Sequence, residues 1–458
     1  MHKPLVGWSC LALACACAFA STPVQAMSLG QAFEAALTYD PQYRAAGFEL
    51  DASRLGVPIA RASLLPAVSL SVSSADVTGR REFPNGLNQE VTTRVDYSSP
   101  QSTLALRAPV FNYEALSRYR QAQAQTEASE ATFRARGLEL MDRVGTAYIQ
   151  ALLARTALEL SQTEVVSLQA QLARSEQRQL RGEGTRTEEA QARAALELAR
   201  YRVIDGRDQL ELTYIRLRRM TGQEPTWMQE IPRDYQPDAI APRQLQDWLD
   251  LAVDQNPALQ ARRQAVAVAR ANVQRNFAGH LPRLDVVASL SRSQNESLAN
   301  LNQSSKLASV GFQLSVPLFN GGGVDASVRQ AEADQARTEQ ELRSERENLE
   351  LEVQRLYLAV ANGVARVDAL KRVVAASEVA VLGMSRAMEA GLATNADVLD
   401  AQSKLFGSLR DLAQGRYEYL AGRLRLMAQA GMPMRRVVDD LNQILSVKTD
   451  VLRTGVPR

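Results

Sequence analysis

The 458-residue chain carries 53 basic and 51 acidic residues, which gives a formal net charge of +2. Because the basic residues do not cluster, no nucleic-acid partner is expected. All three cysteines precede residue 18, and His280 is the only histidine after residue 2. The later sequence therefore lacks the side chains for thiol catalysis, Cys/His zinc sites and histidine-based triads. We predict a protein that is not an enzyme and binds no cofactor or metal ion.

Residues 1–26 have the pattern of a removable signal peptide. Lys3 supplies a basic start, an apolar run covers residues 5–20, and Val24 and Ala26 occupy the cleavage positions. No run of about 18 apolar residues follows this segment, which is the length a membrane helix needs. If the mature chain enters a membrane, we expect it to cross by strands.

Two halves of the chain repeat the same landmarks in the same order. The first-half residues and their counterparts are Pro41 and Pro257, Pro66 and Pro282, Pro109 and Pro317, Tyr148 and Tyr357, and Gly182 and Gly391. Chance similarity between alanine-rich helices would not conserve prolines and glycines in order. We therefore infer an internal duplication, with a linker and a C-terminal segment outside the two copies.

The first copy, residues 27–222, begins with a helix over 29–63 that is interrupted at Asp40-Pro41. Its remaining predicted elements are strands near 66–74 and 102–110 and long helices over 113–180 and 186–221. Asn112 is a suitable N-cap for the first long helix. A helix of some 66 residues is roughly 100 Å long, which suits a coiled coil or a tube across the periplasm.

The second copy, residues 245–431, repeats this order. Its predicted elements are a helix over 245–279 that is interrupted at Asn256-Pro257, strands near 282–291 and 307–317, and long helices over 324–389 and 395–431, with Asn320 as the N-cap. Residues 223–244 are predicted to be an equatorial linker, and residues 432–458 an equatorial segment or tail. The predicted fold is mixed but mainly α, a duplicated helix–strand–strand–helix unit.

The strand segments alternate between apolar and polar residues. Val68, Leu70 and Val72 face one way, and the serines between them face the other. Such an apolar face either packs on a soluble core or contacts lipid. Polar segments at 74–101 and 292–306 are predicted to be external loops. Four strands are too few to close a membrane barrel, since bacterial barrels begin at about eight, so two or three chains would have to share one.

Glycines mark the point where each long helix folds back: Gly182 and Gly184 in the first copy, and Gly391 in the second. Thr185-x-x-Glu188 and Thr394-x-x-Asp397 then form capping-box patterns that start the returning helices. Each copy is therefore predicted to end in a distal hairpin tip.

These features together resemble the TolC family of outer-membrane efflux and type I secretion channels. The resemblance covers about residues 27–432. It is carried by Asp40-Pro41, the runs ending at Pro66 and Pro282, the Pro-Val-Phe-Asn and Pro-Leu-Phe-Asn transitions, and residues 391–401 (Gly-Leu-Ala-Thr-Asn-Ala-Asp-Val-Leu-Asp-Ala).

The resemblance implies a homotrimer in the outer membrane, contacting its lipid, with a large periplasmic part. Each protomer would give four strands to a twelve-stranded transmembrane β-barrel and helices to a long α-helical barrel. It also implies a periplasmic adaptor docking at the tips near Gly182, Gly184 and Gly391, and an ABC or proton-driven inner-membrane transporter. The cargo, drugs or secreted proteins, stays open.

The family closes its periplasmic entrance with rings of acidic side chains, and Asp397 and Asp400 match that acidic pair. A simpler interpretation is that Asp397 completes a helix cap and Asp400 lies on a solvated face. Glu188 and Arg186 are possible counterparts at the first tip, although a surface arginine is the expected role of Arg186. The family's latch arginine is absent here, because its position holds Ala393.

The residues leave one alternative from another class, a periplasmic coiled-coil scaffold or pump adaptor without its own barrel. An adaptor would have one helical hairpin within β-rich domains, whereas this sequence predicts two hairpins. Recovery as a soluble periplasmic monomer would favour the scaffold.

Overall fold

The computed structural model describes residues 27–445, except residues 85, 226–227, 233–234 and 298–299. The predicted signal peptide, residues 1–26, and the end of the C-terminal segment lie outside the described residues.

The first copy contains four helices and two strands, in the predicted order. They are α1 (Leu29–Tyr39), α2 (Pro41–Ala62), β1 (Ala67–Pro84), β2 (Glu90–Asn112), α3 (Tyr113–Leu180) and α4 (Arg186–Thr221). Asp40 separates α1 from α2 and accepts a hydrogen bond from the Tyr43 amide at 2.8 Å. The break therefore restarts a capped helix, with Pro41 at its first position, where a missing N–H costs nothing.

The second copy repeats this order. It comprises α5 (Leu245–Gln255), α6 (Pro257–Phe277), a 3₁₀ turn (Ala278–His280), β3 (Arg283–Ser297), β4 (Asn300–Ser315), α7 (Gly323–Glu389) and α8 (Asn395–Gln429), followed by α9 (Met434–Ile444). The duplicated, mainly α fold is confirmed. Helix α9 lies in the segment predicted only as an equatorial segment or tail.

The strands are longer than predicted, and this corrects the sequence interpretation. Segment 74–101, expected to be a loop, is mostly β1 and β2, and segment 292–306 is mostly β3 and β4. The β1–β2 ladder runs without a break from Ala67 opposite Arg107 to Pro84 opposite Glu90. Beyond Ser73 the face that held Val68, Leu70 and Val72 carries polar residues, and the apolar Ala75 and Val77 lie on the opposite face. The single apolar face that identifies a strand is therefore lost while the backbone pairing continues.

The predicted N-cap Asn112 is confirmed, because its side chain accepts a hydrogen bond from the Ala115 amide at 2.9 Å. The predicted N-cap Asn320 is wrong. Helix α7 begins at Gly323, its N-cap Gly322 has φ of +78°, and it has no side-chain cap. Three consecutive glycines delay helix formation, because glycine loses the most backbone freedom on folding.

The largest hydrophobic core lies midway along the long helices, where α1, α3, α5, α7, α8 and α9 meet. The repeated tyrosines bind chain segments at this level. The Tyr148 hydroxyl donates to the Met27 carbonyl at 2.8 Å, and the Tyr357 hydroxyl donates to the Arg243 carbonyl. Burial raises the pKa of Tyr148, so its hydroxyl remains a donor. The tips and the sheet extend in opposite directions from this core.

The four strands form one antiparallel sheet in the order β1-β2-β3-β4. Within the described residues no second layer covers either face. Val310 and Phe312 are 80% and 77% exposed on the apolar face. Separately, none of the described helices combines the length and apolarity needed to cross a membrane.

Candidate functional site

The two hairpin tips share one backbone design. Gly182 after α3 has φ of +75° and Gly391 after α7 has φ of +74°, a left-handed conformation that glycine adopts without steric cost. The amide after each glycine donates to a carbonyl five residues earlier, at 2.9 Å in the first tip and 2.8 Å in the second. This bond satisfies a carbonyl at the helix end.

Gly184 lies in a tight space at the first tip. A Cβ there would lie 3.2 Å from the Gln179 backbone nitrogen and 3.3 Å from the Arg178 Cβ. Such contacts are tighter than most real Cβ contacts, so a larger residue at position 184 requires these neighbours to shift by a few tenths of an ångström. The corresponding position of the second tip holds Ala393.

Both predicted capping boxes are present. Thr185 and Glu188 exchange backbone-to-side-chain bonds of 3.1 and 3.2 Å. Thr394 and Asp397 exchange bonds of 2.8 and 3.3 Å, and the Thr394 hydroxyl donates to Asp397 at 2.7 Å. The Thr394 backbone and hydroxyl bonds lower the pKa of Asp397, so this exposed carboxylate is ionised at neutral pH.

The structure does not join Asp397 and Asp400 into one cluster within a chain. Asp400 instead pairs with Lys404 one turn along α8, at 2.7 Å, and both side chains are mostly exposed. At the first tip, Arg186 is exposed and makes no ion pair within the described part of the chain. In a single protomer, Asp397 therefore caps a helix and Asp400 carries its charge on the surface.

Sequence reasoning missed a buried polar contact between the two hairpins. Asn395, the first residue of α8, is 2% exposed. Its amide nitrogen donates to the Glu188 carbonyl at 3.1 Å. Its amide oxygen accepts from Gln171 at 2.6 Å and from Ser175 at 3.4 Å. The start of the second returning helix is thus bonded to both helices of the first hairpin, one turn from the acidic pair.

A second missed contact lies farther from the tips. Glu164 of α3 is 2% exposed and accepts from Arg202 of α4 at 2.8 Å and from Arg410 of α8 at 2.9 Å. Two charge-assisted bonds satisfy the buried carboxylate, and one of them joins the hairpins.

A signal for both contacts was present in the sequence. Glu164, Leu168, Gln171 and Ser175 recur at helical spacing, and all four are buried. Polar residues on such a stripe require buried partners. The partners could not be identified from sequence because Asn395 and Arg410 lie more than 200 positions away.

The sheet presents two chemically different faces. On the polar face, Asp285 is 4% exposed and accepts a bond from Arg107 Nε at 2.9 Å. On the other face, aligned positions of the four strands carry apolar residues. Two such cross-strand rows contain Val68, Leu106, Ala288 and Val310, and Leu70, Leu104, Leu290 and Ala308. An uncovered apolar face of this kind is suited to contact with lipid.

The model of the family described as "Outer membrane efflux protein" matches residues 32–223 and 248–432. The chain belongs to this family. It is 36% identical over 415 residues to the proteases secretion protein PrtF of Dickeya chrysanthemi, with 89% of this chain and 88% of PrtF covered. It is 26% identical over 449 residues to the outer membrane protein TolC of Escherichia coli, with 92% and 86% covered.

The fold is also that of solved channels. The outer membrane protein VceC of Vibrio cholerae superposes with a TM-score of 0.76 at 18% identity, covering 89% of this chain and 96% of that one. The TolC-family resemblance is confirmed. The protein is an outer-membrane channel-tunnel protomer with a large periplasmic portion and is not an enzyme. The alternative of a scaffold or adaptor without a barrel is wrong.

Proposed function

We propose that three copies of this chain form one duct that exports a secreted protein, working with a periplasmic adaptor and an inner-membrane ABC transporter. The observation that carries the proposal is the open four-stranded sheet. Its outer strands β1 and β4 have one unpaired edge each, and its apolar face is uncovered. In lipid, backbone groups on an open edge have no water to pair with.

The sheet edges require other chains, and the number three comes from the TolC-family resemblance. Two protomers would supply eight strands and three would supply twelve. The helices also offer surfaces for neighbours. Phe48, Leu55 and Ile59 form an exposed apolar stripe along α2, and Leu351 and Leu358 are exposed on α7. Packing these stripes against neighbouring protomers would bury their apolar side chains. The helices of the three protomers would then form the wall of one closed tube.

The assembly has a direct test with a matched control. Phe312 lies on the apolar face of β4 and Gln313 on the polar face. Arginine on the lipid face of a barrel costs about 2–4 kcal/mol near the bilayer midplane. We expect Phe312→Arg to lose recovery from the outer membrane and Gln313→Arg to retain it. Equal recovery of both variants, or a dimer in native mass measurements of the wild-type protein, would contradict the shared twelve-stranded barrel.

The cargo proposal depends on the relatives. PrtF, named for protease secretion, is more similar to this chain than TolC is, at 36% against 26% identity. We propose secreted proteins rather than drugs as the cargo. Deleting the gene for this protein in its native cell should abolish export of one or more large proteins. Drug susceptibility should stay within about twofold of that of the parent strain. The opposite pattern would favour efflux.

The periplasmic entrance is proposed to lie at the tips. Threefold symmetry would place six carboxylates, from Asp397 and Asp400, around one opening. Gly182, Gly184 and Gly391 would shape the tips that the adaptor contacts. Leu392 is 84% exposed beside Gly391, which provides an apolar contact for such a partner. Glu188 and Arg186 lie on the first hairpin, where Glu188 completes the cap of α4.

The ring can be tested with a multivalent cation. We expect Asp397→Asn with Asp400→Asn to weaken periplasmic-side block by hexamminecobalt(III) at least tenfold in bilayer recordings, because six carboxylates attract the cation. Asp411→Asn, farther along the same helix, is the control and should leave block within twofold. Unchanged block in the double variant would remove the pair from the entrance.

A further inference from the structure

We infer that Arg292 and Lys306 bind the phosphate group of a lipid in the outer leaflet of the membrane. The inference rests on the proposed function, since it requires the apolar face of the sheet to contact lipid. It adds a partner that the channel role does not itself require.

Arg292 of β3 and Lys306 of β4 are exposed and directly opposite each other in the ladder. They follow the row that contains Leu290 and Ala308 and lie on the same face as that row. With about 3.3 Å per residue, they lie about 7 Å beyond the last fully apolar row.

Strand β3 begins directly after the helical part, at Arg283, so increasing residue number leads away from the helices. Arg292 and Lys306 therefore mark the edge of the apolar band that is farther from the periplasm. In an outer-membrane barrel this edge lies at the head groups of the outer leaflet, where charged side chains on the lipid face cost little.

Like charges directly opposite each other in a ladder destabilise it. The adjacent positions on the same face hold Leu290, Gln294, Ser304 and Ala308, none of which is acidic. Neither cation makes an ion pair with the described residues. An anion between them would remove the repulsion, and a phosphate suits the planar fork of arginine together with the point charge of lysine.

A second like-charge pair in the sheet provides the contrast. Arg80 and Arg94 are also directly opposite and on the same face of the sheet. Two positions along each strand stand Glu82 and Asp96, which can neutralise that pair from within the chain. Arg80 is eight positions beyond Val72, well outside the apolar band. Of these two like-charge pairs, only Arg292 and Lys306 lie at the boundary of the apolar band and have no carboxylate at the adjacent positions of the same face. A lipid phosphate is therefore the anion that this pair is placed to bind.

The test measures binding of diphosphoryl lipid A to the full-length assembled protein by native mass spectrometry. Arg292→Gln with Lys306→Gln should weaken binding at least tenfold. Arg80→Gln with Arg94→Gln removes the same charge and should stay within twofold of wild type. The charge-preserving Arg292→Lys with Lys306→Arg should retain binding within about threefold, which separates loss of charge from misfolding.

The chemistry of the probe gives a second arm. Dephosphorylated lipid A should bind the wild-type protein as weakly as diphosphoryl lipid A binds the Gln double variant. Inorganic phosphate at millimolar concentration should not displace the lipid, since the acyl chains contribute through the apolar band. Full displacement would mean a free-anion site and would overturn the assignment to lipid.

Channel conductance and assembly mass are measured on the same samples, so that the two proposals can fail separately. If the Gln double variant forms a conducting trimer and binds lipid A as tightly as wild type, the lipid site is wrong and the channel proposal stands. If the wild-type protein forms no channel, the proposed function fails and this inference fails with it.

Discussion

The residue after the capping threonine differs between the two hairpin tips, although the turns are otherwise alike. In the first hairpin it is Arg186, which is exposed. In the second it is Asn395, which is 2% exposed and bonded to Glu188, Gln171 and Ser175. The two copies therefore share the backbone of the tip, but the residue after the capping threonine is exposed in the first copy and buried in the second.

The same divergence occurs along the long helices. Glu164 is buried between two arginines, whereas its counterpart in the second copy, Val373, is 49% exposed. Local structure is shared because both copies have the same turn glycines and capping threonines. The residues that form the contact between the hairpins differ between the copies. Helices α3 and α4 of the first copy pack against α8 of the second, so each copy contributes a different surface to this contact.

The largest effect is expected at Glu164. Glu164→Ala leaves Arg202 and Arg410, each about one-third exposed, without their carboxylate. Because removing one partner of a buried pair leaves an unbalanced charge, we expect the free energy for opening the contact between the hairpins to fall by about 3 kcal/mol. Hydrogen-exchange mass spectrometry of peptides from α3 and α8 measures this. Glu197→Ala, which removes an exposed pair on α4, should change opening by less than about 0.5 kcal/mol.

The sharpest test of the tip comparison is the pair Asn395→Ala and Arg186→Ala. The first leaves the buried Gln171 amide nitrogen without its acceptor, which costs about 1–2 kcal/mol. The second removes an exposed side chain and should cost less than about 0.5 kcal/mol. Protease cleavage rates at the two tips of the assembled protein report the difference. Equal sensitivity of both variants would mean that the hairpins are equivalent at this position.

Substitution of the turn glycine should have the same effect on local stability at both tips. Gly182→Ala and Gly391→Ala force alanine into φ near +75°, and each should cost about 1–2 kcal/mol of local stability. Gly383→Ala, inside α7 with open space around it, should stabilise by about 0.5–1 kcal/mol. Hydrogen exchange at the tips tests all three. A large inequality between Gly182→Ala and Gly391→Ala would show that the turns are not interchangeable.

The smallest expected effect concerns acid. The bonds from Thr394 lower the pKa of Asp397 below its usual value of 3.8, so its charge persists as pH falls to that value and is lost only below it. Block of the channel by hexamminecobalt(III) should therefore be unchanged between pH 7 and pH 5. A marked loss of block by pH 5 would mean that crowding of carboxylates at the entrance raises their pKa values and outweighs the cap.

The strands show where sequence reasoning was limited. Alternation identified the part of each strand with an apolar face, near Val68–Val72 for example, because burial in lipid or a core selects for it. It could not identify the extensions beyond Ser73, where the apolar positions change face and most side chains are exposed. There the ladder is held by backbone hydrogen bonds, which any residue except proline can donate, so composition carries little information about them.

The sequence by itself determined the duplication, the helix breaks at Asp40 and Asn256, the turns at Gly182 and Gly391, and the caps at Thr185 and Thr394. Each depends on backbone geometry within a few residues, which the side chains dictate directly. The tertiary structure alone decided that Asn395 is buried and that Glu164 bonds to Arg410. Those outcomes depend on which helix faces meet. The stripe on α3 that contains Glu164 and Gln171 is visible in the sequence, but its partners lie more than 200 positions away and no local pattern identifies them.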